Sequence, residues 1–114
     1  MNISVVILAG GIGARMGVNI PKQFIEVDGI PIVVKTIFAF QKNQRVNGIT
    51  IVCVEQYKQE MWELVKTFNL TKVTSVVTGG STGHESTRNG VFSLKDKLSE
   101  DDFVIIHDAV RPIL

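Results

Sequence analysis

At 114 residues the chain is sized for one small domain, and a composition 45% hydrophobic and 20% charged supplies apolar material for one core. A formal charge of +1 excludes a global electrostatic pull toward nucleic acid or an anionic membrane, so any cation that matters acts locally. The single cysteine, Cys53, excludes an internal disulfide framework and, inside an apolar run, reads as a buried and unreactive thiol.

Met1-Asn2-Ile3-Ser4 carries no basic leader, and the apolar stretch 5–9 is too short for a signal core or a membrane span. The expectation is a cytoplasmic protein. A β-branched run at 3–8 predicts the first strand. Ile32, Val33, Ile37 and Phe40 then repeat at helical spacing, ending near Asn43. A second strand follows at 49–54. The next helix would bury Met61, Trp62, Val65 and Phe68 and turn Lys58, Glu60, Glu63 and Lys66 to water. A weaker strand at 73–77 precedes a third helix with Val91, Leu94 and Leu98 inward. The acidic turn Glu100-Asp101-Asp102 leads into a last strand at 103–106.

Continuous apolarity in the strands suggests burial on both faces of a mostly parallel sheet. Regular alternation with helices predicts a doubly wound α/β domain, and the apolar helical positions read as core rather than as a cofactor box. Such sheets bind ligands beyond the carboxyl ends of their strands. Three of the four strand ends here carry unusual chemistry: Ala9-Gly10-Gly11, Thr78-Gly79-Gly80 and His107-Asp108.

After the first strand, four glycines (Gly10, Gly11, Gly13 and Gly17) fall within eight positions and are followed by Pro21-Lys22-Gln23-Phe24. Glycines let backbone N–H groups approach an anion, and Arg15 and Lys22 add two full positive charges. A Walker A loop fails, because Gly17 is followed by Val18-Asn19 rather than Lys-Ser/Thr. The dinucleotide fingerprint fails as well: Gly11, Gly13 and Gly17 give one residue too many. Glu55 lies about 40 residues beyond the loop, where a ribose-binding acid is expected at about 20. A glycine-rich turn with unrelated surface cations is the bland alternative; Arg15 together with Pro21-Lys22 favours a polyphosphate cradle.

Ala9-Gly10-Gly11-x-Gly13-x-Arg15-Met16-Gly17 with Pro21-Lys22-Gln23-Phe24 resembles the signature of the cytidylyltransferases that activate sugar-alcohol phosphates. That family includes 2-C-methyl-D-erythritol 4-phosphate cytidylyltransferase, of isoprenoid precursor synthesis, and ribitol-5-phosphate cytidylyltransferase, of teichoic acid and capsule synthesis. The resemblance implies a Rossmann-like nucleotidyltransferase fold, with residues 1–114 forming a single CTP-binding α/β domain. It also implies that Arg15 and Lys22 are the catalytic cations on the CTP phosphates, while Ala9, Gly10, Gly11 and Gly13 wrap the nucleotide.

Two further segments extend the resemblance. Gly79, Gly80, Ser86, Asn89 and Gly90 match a Gly-Gly … Ser-x-x-Asn-Gly pattern, which implies that Gly80 and Ser86 meet the cytosine edge. Ser86 or Thr87 could instead simply cap the following helix. Many members carry arginine where this chain has Gly83, and His84 reads as an exposed loop histidine. His107-Asp108-Ala109-Val110-Arg111-Pro112 matches a family hallmark. It implies that Asp108 holds Mg2+, which favours one or two carboxylates plus substrate phosphates. A turn cap or a pair with Arg111 is the plain alternative for Asp108. Arg111 reads as shaping the turn, and Pro112 as stopping the strand.

The implied reaction is attack by a sugar-alcohol phosphate on the α-phosphorus of CTP, with pyrophosphate leaving and no enzyme nucleophile. No nucleic acid or membrane partner is expected, and the family pattern implies a homodimer at full length. Other readings are a UTP- or GTP-dependent sugar-phosphate nucleotidyltransferase, and a non-catalytic nucleotide-binding module. The resemblance spans the chain but only about half of a family member, so the expectation is a truncated N-terminal part whose last strand leaves an open edge.

Overall fold

The computed structural model describes residues 2–9, 24–80, 82–96, 98–99 and 101–109. Its elements are β1 (Ile3–Ala9), β2 (Glu26–Val27), β3 (Ile30–Pro31), α1 (Ile32–Gln41), β4 (Val46–Cys53), α2 (Lys58–Thr67), β5 (Val73–Thr78), α3 (Gly83–Phe92) and β6 (Phe103–Asp108). A short 3-10 turn, Glu55–Tyr57, precedes α2.

β1, β4, β5 and β6 form one parallel sheet in the order β5-β4-β1-β6. These are the four apolar runs of the sequence. Val5, Val6, Ile7, Ile49, Ile51 and Val52 are fully buried, as strands covered on both faces require. Successive side chains alternate between two cores. Val5, Ile7, Ile49 and Ile51 pack with Val33, Ile37 and Phe40 of α1 and Met61 of α2. Val6 and Val52 pack with Leu94 just after α3, supported by Leu8, Val77, Leu98 and Val104. Thus α1 and α2 cover one face and α3 the other.

The first free N–H of α1, on Ile32, donates to the Ile25 carbonyl at 2.9 Å, which satisfies a donor that the helix itself cannot. Ahead of α1 lies the β2–β3 hairpin, which the hydrophobic pattern does not announce. Its turn residues Asp28 and Gly29 both have positive φ, 56° and 80°, the two-residue geometry that an Asp-Gly pair favours.

Two expectations about helical faces are corrected. Trp62 is 36% exposed, and Leu64 packs in its place beside Val65 and Phe68. Val91 is 37% exposed, and the buried residues of α3 are instead Ser86 and Gly90. The reason is close approach: a Cβ on Gly90 would lie 2.6 Å from Val6 Cγ1 and 2.8 Å from Val52 Cγ2. α3 therefore meets the sheet through small residues, and a hydrophobic stripe would not fit. The cap is also moved. Thr82, rather than Ser86 or Thr87, caps α3, its hydroxyl accepting the Glu85 N–H at 3.1 Å. His84 accordingly lies in the first turn of that helix, exposed, and not in a loop.

Among the described residues β6 pairs with β1 alone, and Phe103, Ile105 and Ile106 are 57%, 40% and 39% exposed. No helix among the described residues is long and apolar enough to cross a membrane.

Candidate functional site

Because all four strands run parallel, their carboxyl ends share one edge of the sheet. Ala9 is in register with Cys53, and Cys53 with Thr78, while on the other side Leu8 is in register with Asp108. The chain runs outward from β1 through β4 to β5, then returns to place β6 on the opposite side of β1. The strand order therefore reverses between β1 and β6, the position where open α/β sheets form a ligand crevice. Ala9 and Asp108 end the two strands that flank it.

The loop after β5 is fastened at three points. Gly79 N–H donates to the Cys53 carbonyl at 2.9 Å. The Asn89 side-chain amide donates to the Thr78 carbonyl at 3.1 Å. Gly80 N–H donates to Ser86 Oγ, also at 3.1 Å. Ser86 is 8% exposed and belongs to the face of α3 that packs on the sheet. Gly79 leaves room for it, since a Cβ there would sit 2.7 Å from Ser86 Oγ and 3.2 Å from Val52 Cγ1. Gly80 and Ser86, expected to work together, are thus brought into direct contact.

Glu55 follows β4 and reaches the same edge. Its carboxylate accepts a hydrogen bond from the Thr78 hydroxyl and lies 3.6 Å from Lys58 Nζ. The Thr78 bond first, and then Lys58, hold the carboxyl below the usual range for a glutamate. Glu55 is thereby engaged in tying the end of β4 to the end of β5. Cys53 beneath it is fully buried, and burial pushes its thiol up to about 11. The reading of Cys53 as an unreactive core thiol stands.

Asp108 is exposed at the end of β6, between His107, whose ring meets Phe40 edge-on at 5.3 Å, and the fully buried Ala109. Among the described residues there is no group of three or more His, Cys, Asp or Glu side chains placed to hold a metal ion. A single exposed carboxylate is not a transition-metal or zinc ligand set. It does fit Mg2+, which takes few protein oxygens and completes its shell with substrate phosphates and water.

The expected residues Gly10, Gly11, Gly13, Gly17, Arg15, Pro21, Lys22, Gln23, Arg111 and Pro112 lie outside the described residues. Thr36, Thr78 and Asn89 were not singled out by sequence reasoning as site residues. For Thr36 the signal was available: it is a polar residue set among the apolar positions of the α1 face. Asn89 was matched in the Ser-x-x-Asn-Gly pattern and Thr78 stood at a strand end, but neither pattern gave the residue a role of its own.

Residues 3–114 match the family model described as 2-C-methyl-D-erythritol 4-phosphate cytidylyltransferase. The chain is 46% identical over 115 aligned positions to a ribitol-5-phosphate cytidylyltransferase of Streptococcus agalactiae. It is 40% identical over 114 residues to a 2-C-methyl-D-erythritol 4-phosphate cytidylyltransferase of Halalkalibacterium halodurans. Both alignments take in 100% of this chain and 48% of the relative, so the chain spans about half the length of these proteins. The solved structure of Francisella tularensis 2-C-methyl-D-erythritol 4-phosphate cytidylyltransferase superposes with a TM-score of 0.73 at 30% identity, covering 98% of this chain and 46% of that one.

Proposed function

This chain belongs to the 2-C-methyl-D-erythritol 4-phosphate cytidylyltransferase family, and on that footing we propose that it forms the CTP-binding part of an enzyme transferring CMP from CTP to a sugar-alcohol phosphate. One observation carries the proposal: the carboxyl ends of β1, β4, β5 and β6 line a single edge, with Ala9, the bonded pair Gly80–Ser86 and Asp108 all on it.

In the proposed reaction a phosphate oxygen of the acceptor attacks the α-phosphorus of CTP. The bond from that phosphorus to the β-phosphate bridging oxygen breaks, and pyrophosphate leaves. The barrier comes from bringing two anions together and accumulating charge, so the protein contributes positioning and electrostatic stabilisation. Gly10, Gly11 and Gly13 would present backbone N–H groups to the phosphates. Arg15 and Lys22 would neutralise the α-phosphate and the departing pyrophosphate. Gly80 and Ser86 would hold the base, the backbone of Gly80 being fixed beforehand by the serine. Asp108 would hold Mg2+, which when bound supplies positive charge to the phosphate oxygens.

Between the two acceptors named among the relatives, ribitol 5-phosphate is the one we favour. Its support is Leu8-Ala9-Gly10-Gly11 and Ala109-Val110-Arg111-Pro112, together with the 46% identity to a ribitol-5-phosphate enzyme. The reaction is assigned to the cytoplasm, and a homodimer is expected on the family resemblance.

Calorimetric titration with CTP, UTP, GTP and NAD in the presence of Mg2+ tests the nucleotide. CTP is expected to bind most tightly, and a preference for NAD would overturn the reading. Incubation with CTP and either sugar-alcohol phosphate, with the product identified by mass, tests the acceptor. Binding of CTP without turnover would favour the non-catalytic nucleotide-binding reading for this length of chain.

A further inference from the structure

α1 lies on the sheet face of the larger core, yet two of its residues reach the end of β6 and bracket Asp108. Thr36 is 3% exposed, and its hydroxyl donates to the Ala109 carbonyl at 2.6 Å, a buried contact between residues 73 positions apart. The same oxygen lies 3.3 Å from the Ile32 carbonyl within its own helix. A hydroxyl has one hydrogen, and the shorter bond to Ala109 takes it. Four residues further along α1, Phe40 meets the His107 ring edge-on, the centroids 5.3 Å apart.

Ala109 is therefore fixed on both sides of its backbone. Its N–H donates to the Leu8 carbonyl of β1 at 2.9 Å, and its carbonyl accepts from Thr36. A threonine buried in an otherwise apolar face needs such a partner, because an unpaired hydroxyl or carbonyl in a core is costly. A valine would fill the same space without that demand. What the hydroxyl adds is direction: it fixes where the chain goes immediately after Asp108.

We propose that Thr36 is a positioning residue for Asp108, its buried hydroxyl holding the Ala109 carbonyl so that the carboxylate stays at the crevice between β1 and β6. This rests on the reading that Asp108 holds the divalent cation. Thr36 is itself buried and would act through the peptide unit that follows the acid.

The test uses Mn2+ as the probe, read by electron paramagnetic resonance as the ion bound by the protein with CTP in excess of that bound by CTP alone. Thr36→Val and Thr36→Ala are expected to weaken this binding about 10- to 100-fold, the usual effect of losing a partner behind a metal ligand. CTP affinity measured in EDTA should stay at the wild-type value. Thr36→Ser, which restores the hydroxyl, should recover Mn2+ binding. Wild-type Mn2+ affinity in a folded Thr36→Val protein would overturn the proposal, as would loss of binding in Thr36→Ser. If neither hydroxyl-free variant folds while Thr36→Ser does, the hydroxyl is structural and the proposal falls. Asp108→Asn separates the two readings. If it abolishes Mn2+ binding while Thr36→Val does not, only the positioning role is lost; if it binds Mn2+ normally, the metal reading fails and takes this inference with it.

Discussion

Ser86 Oγ accepts the backbone N–H of Gly80 at 3.1 Å, joining a helix residue to the loop that precedes its own helix. An accepting hydroxyl oxygen keeps its own hydrogen to give. The bond thus ties the loop to the helix and leaves the Ser86 hydroxyl its own hydrogen for the proposed base.

Ser86→Ala removes the partner of the Gly80 N–H and the hydroxyl proposed for the base. CTP affinity should fall about 10-fold, the equivalent of one hydrogen bond of roughly 1.4 kcal/mol. Isothermal calorimetry measures it. Unchanged affinity would remove Ser86 from the site.

Gly90→Ala sets two effects against each other. Alanine is the better helix former by about 1 kcal/mol. Its Cβ, however, would lie 2.6 Å from Val6 Cγ1 and 2.8 Å from Val52 Cγ2, and overpacking costs about 1–3 kcal/mol. The clash is expected to win, giving a net loss of roughly 1 kcal/mol in urea unfolding. Combining it with Val52→Ala should cost less than the sum of the two single changes.

The buried thiol of Cys53, with its pKa raised from 9.0 to about 11, makes stability depend on alkaline pH. Below pH 9 both folded and unfolded chains keep the proton. Between about 9 and 11 the unfolded chain releases it and the folded chain does not, so stability falls across that window. Cys53→Ser should flatten that part of the stability curve, measured by urea midpoints from pH 8 to 11. At neutral pH the native thiol should resist iodoacetamide, and rapid alkylation would contradict its burial.

Thr78→Val should raise the titration midpoint of Glu55 more than Lys58→Met does, because the hydroxyl bond is the larger cause of its depression. A depressed carboxyl stabilises the fold at pH values above its unfolded pKa, and that contribution is lost as pH falls through the folded value. Carboxyl carbon chemical shifts followed against pH give both midpoints. A midpoint left unmoved by Thr78→Val and raised by Lys58→Met would assign the effect to charge alone.

Lys22→Ala is expected to lower the turnover number on the order of 100- to 1000-fold, as removal of one preorganised electrostatic donor does. CTP binding should weaken as well. Normal turnover in an intact enzyme would mean that Lys22 does not carry the proposed role.

The sheet was legible in the sequence because parallel strands buried on both faces leave an unbroken apolar run, as at Val5, Val6 and Ile7. The third helix was not. Periodicity assigns the inward face to apolar residues, but α3 approaches the sheet so closely that Ser86 and Gly90 occupy it and Val91 turns outward. The β2–β3 hairpin was missed although Asp28-Gly29 is a recognised turn pair, because two-residue strands carry too little pattern to register. Of the site, the strand ends and the choice of Gly80 and Ser86 came from motifs, while the bond joining those two residues did not. The reach of Thr36 to Ala109 could not, because sequence proximity carries no information about a contact 73 residues long.

Ser86 and Gly90 stand one helical turn apart on the same buried stripe, so the surface that seats α3 is also the surface that presents the serine. A bulkier residue at 90 would need room from both Val6 and Val52, or else the helix would be lifted and Ser86 carried away from Gly80. Positions 6, 52 and 90 should therefore change as a set across related chains.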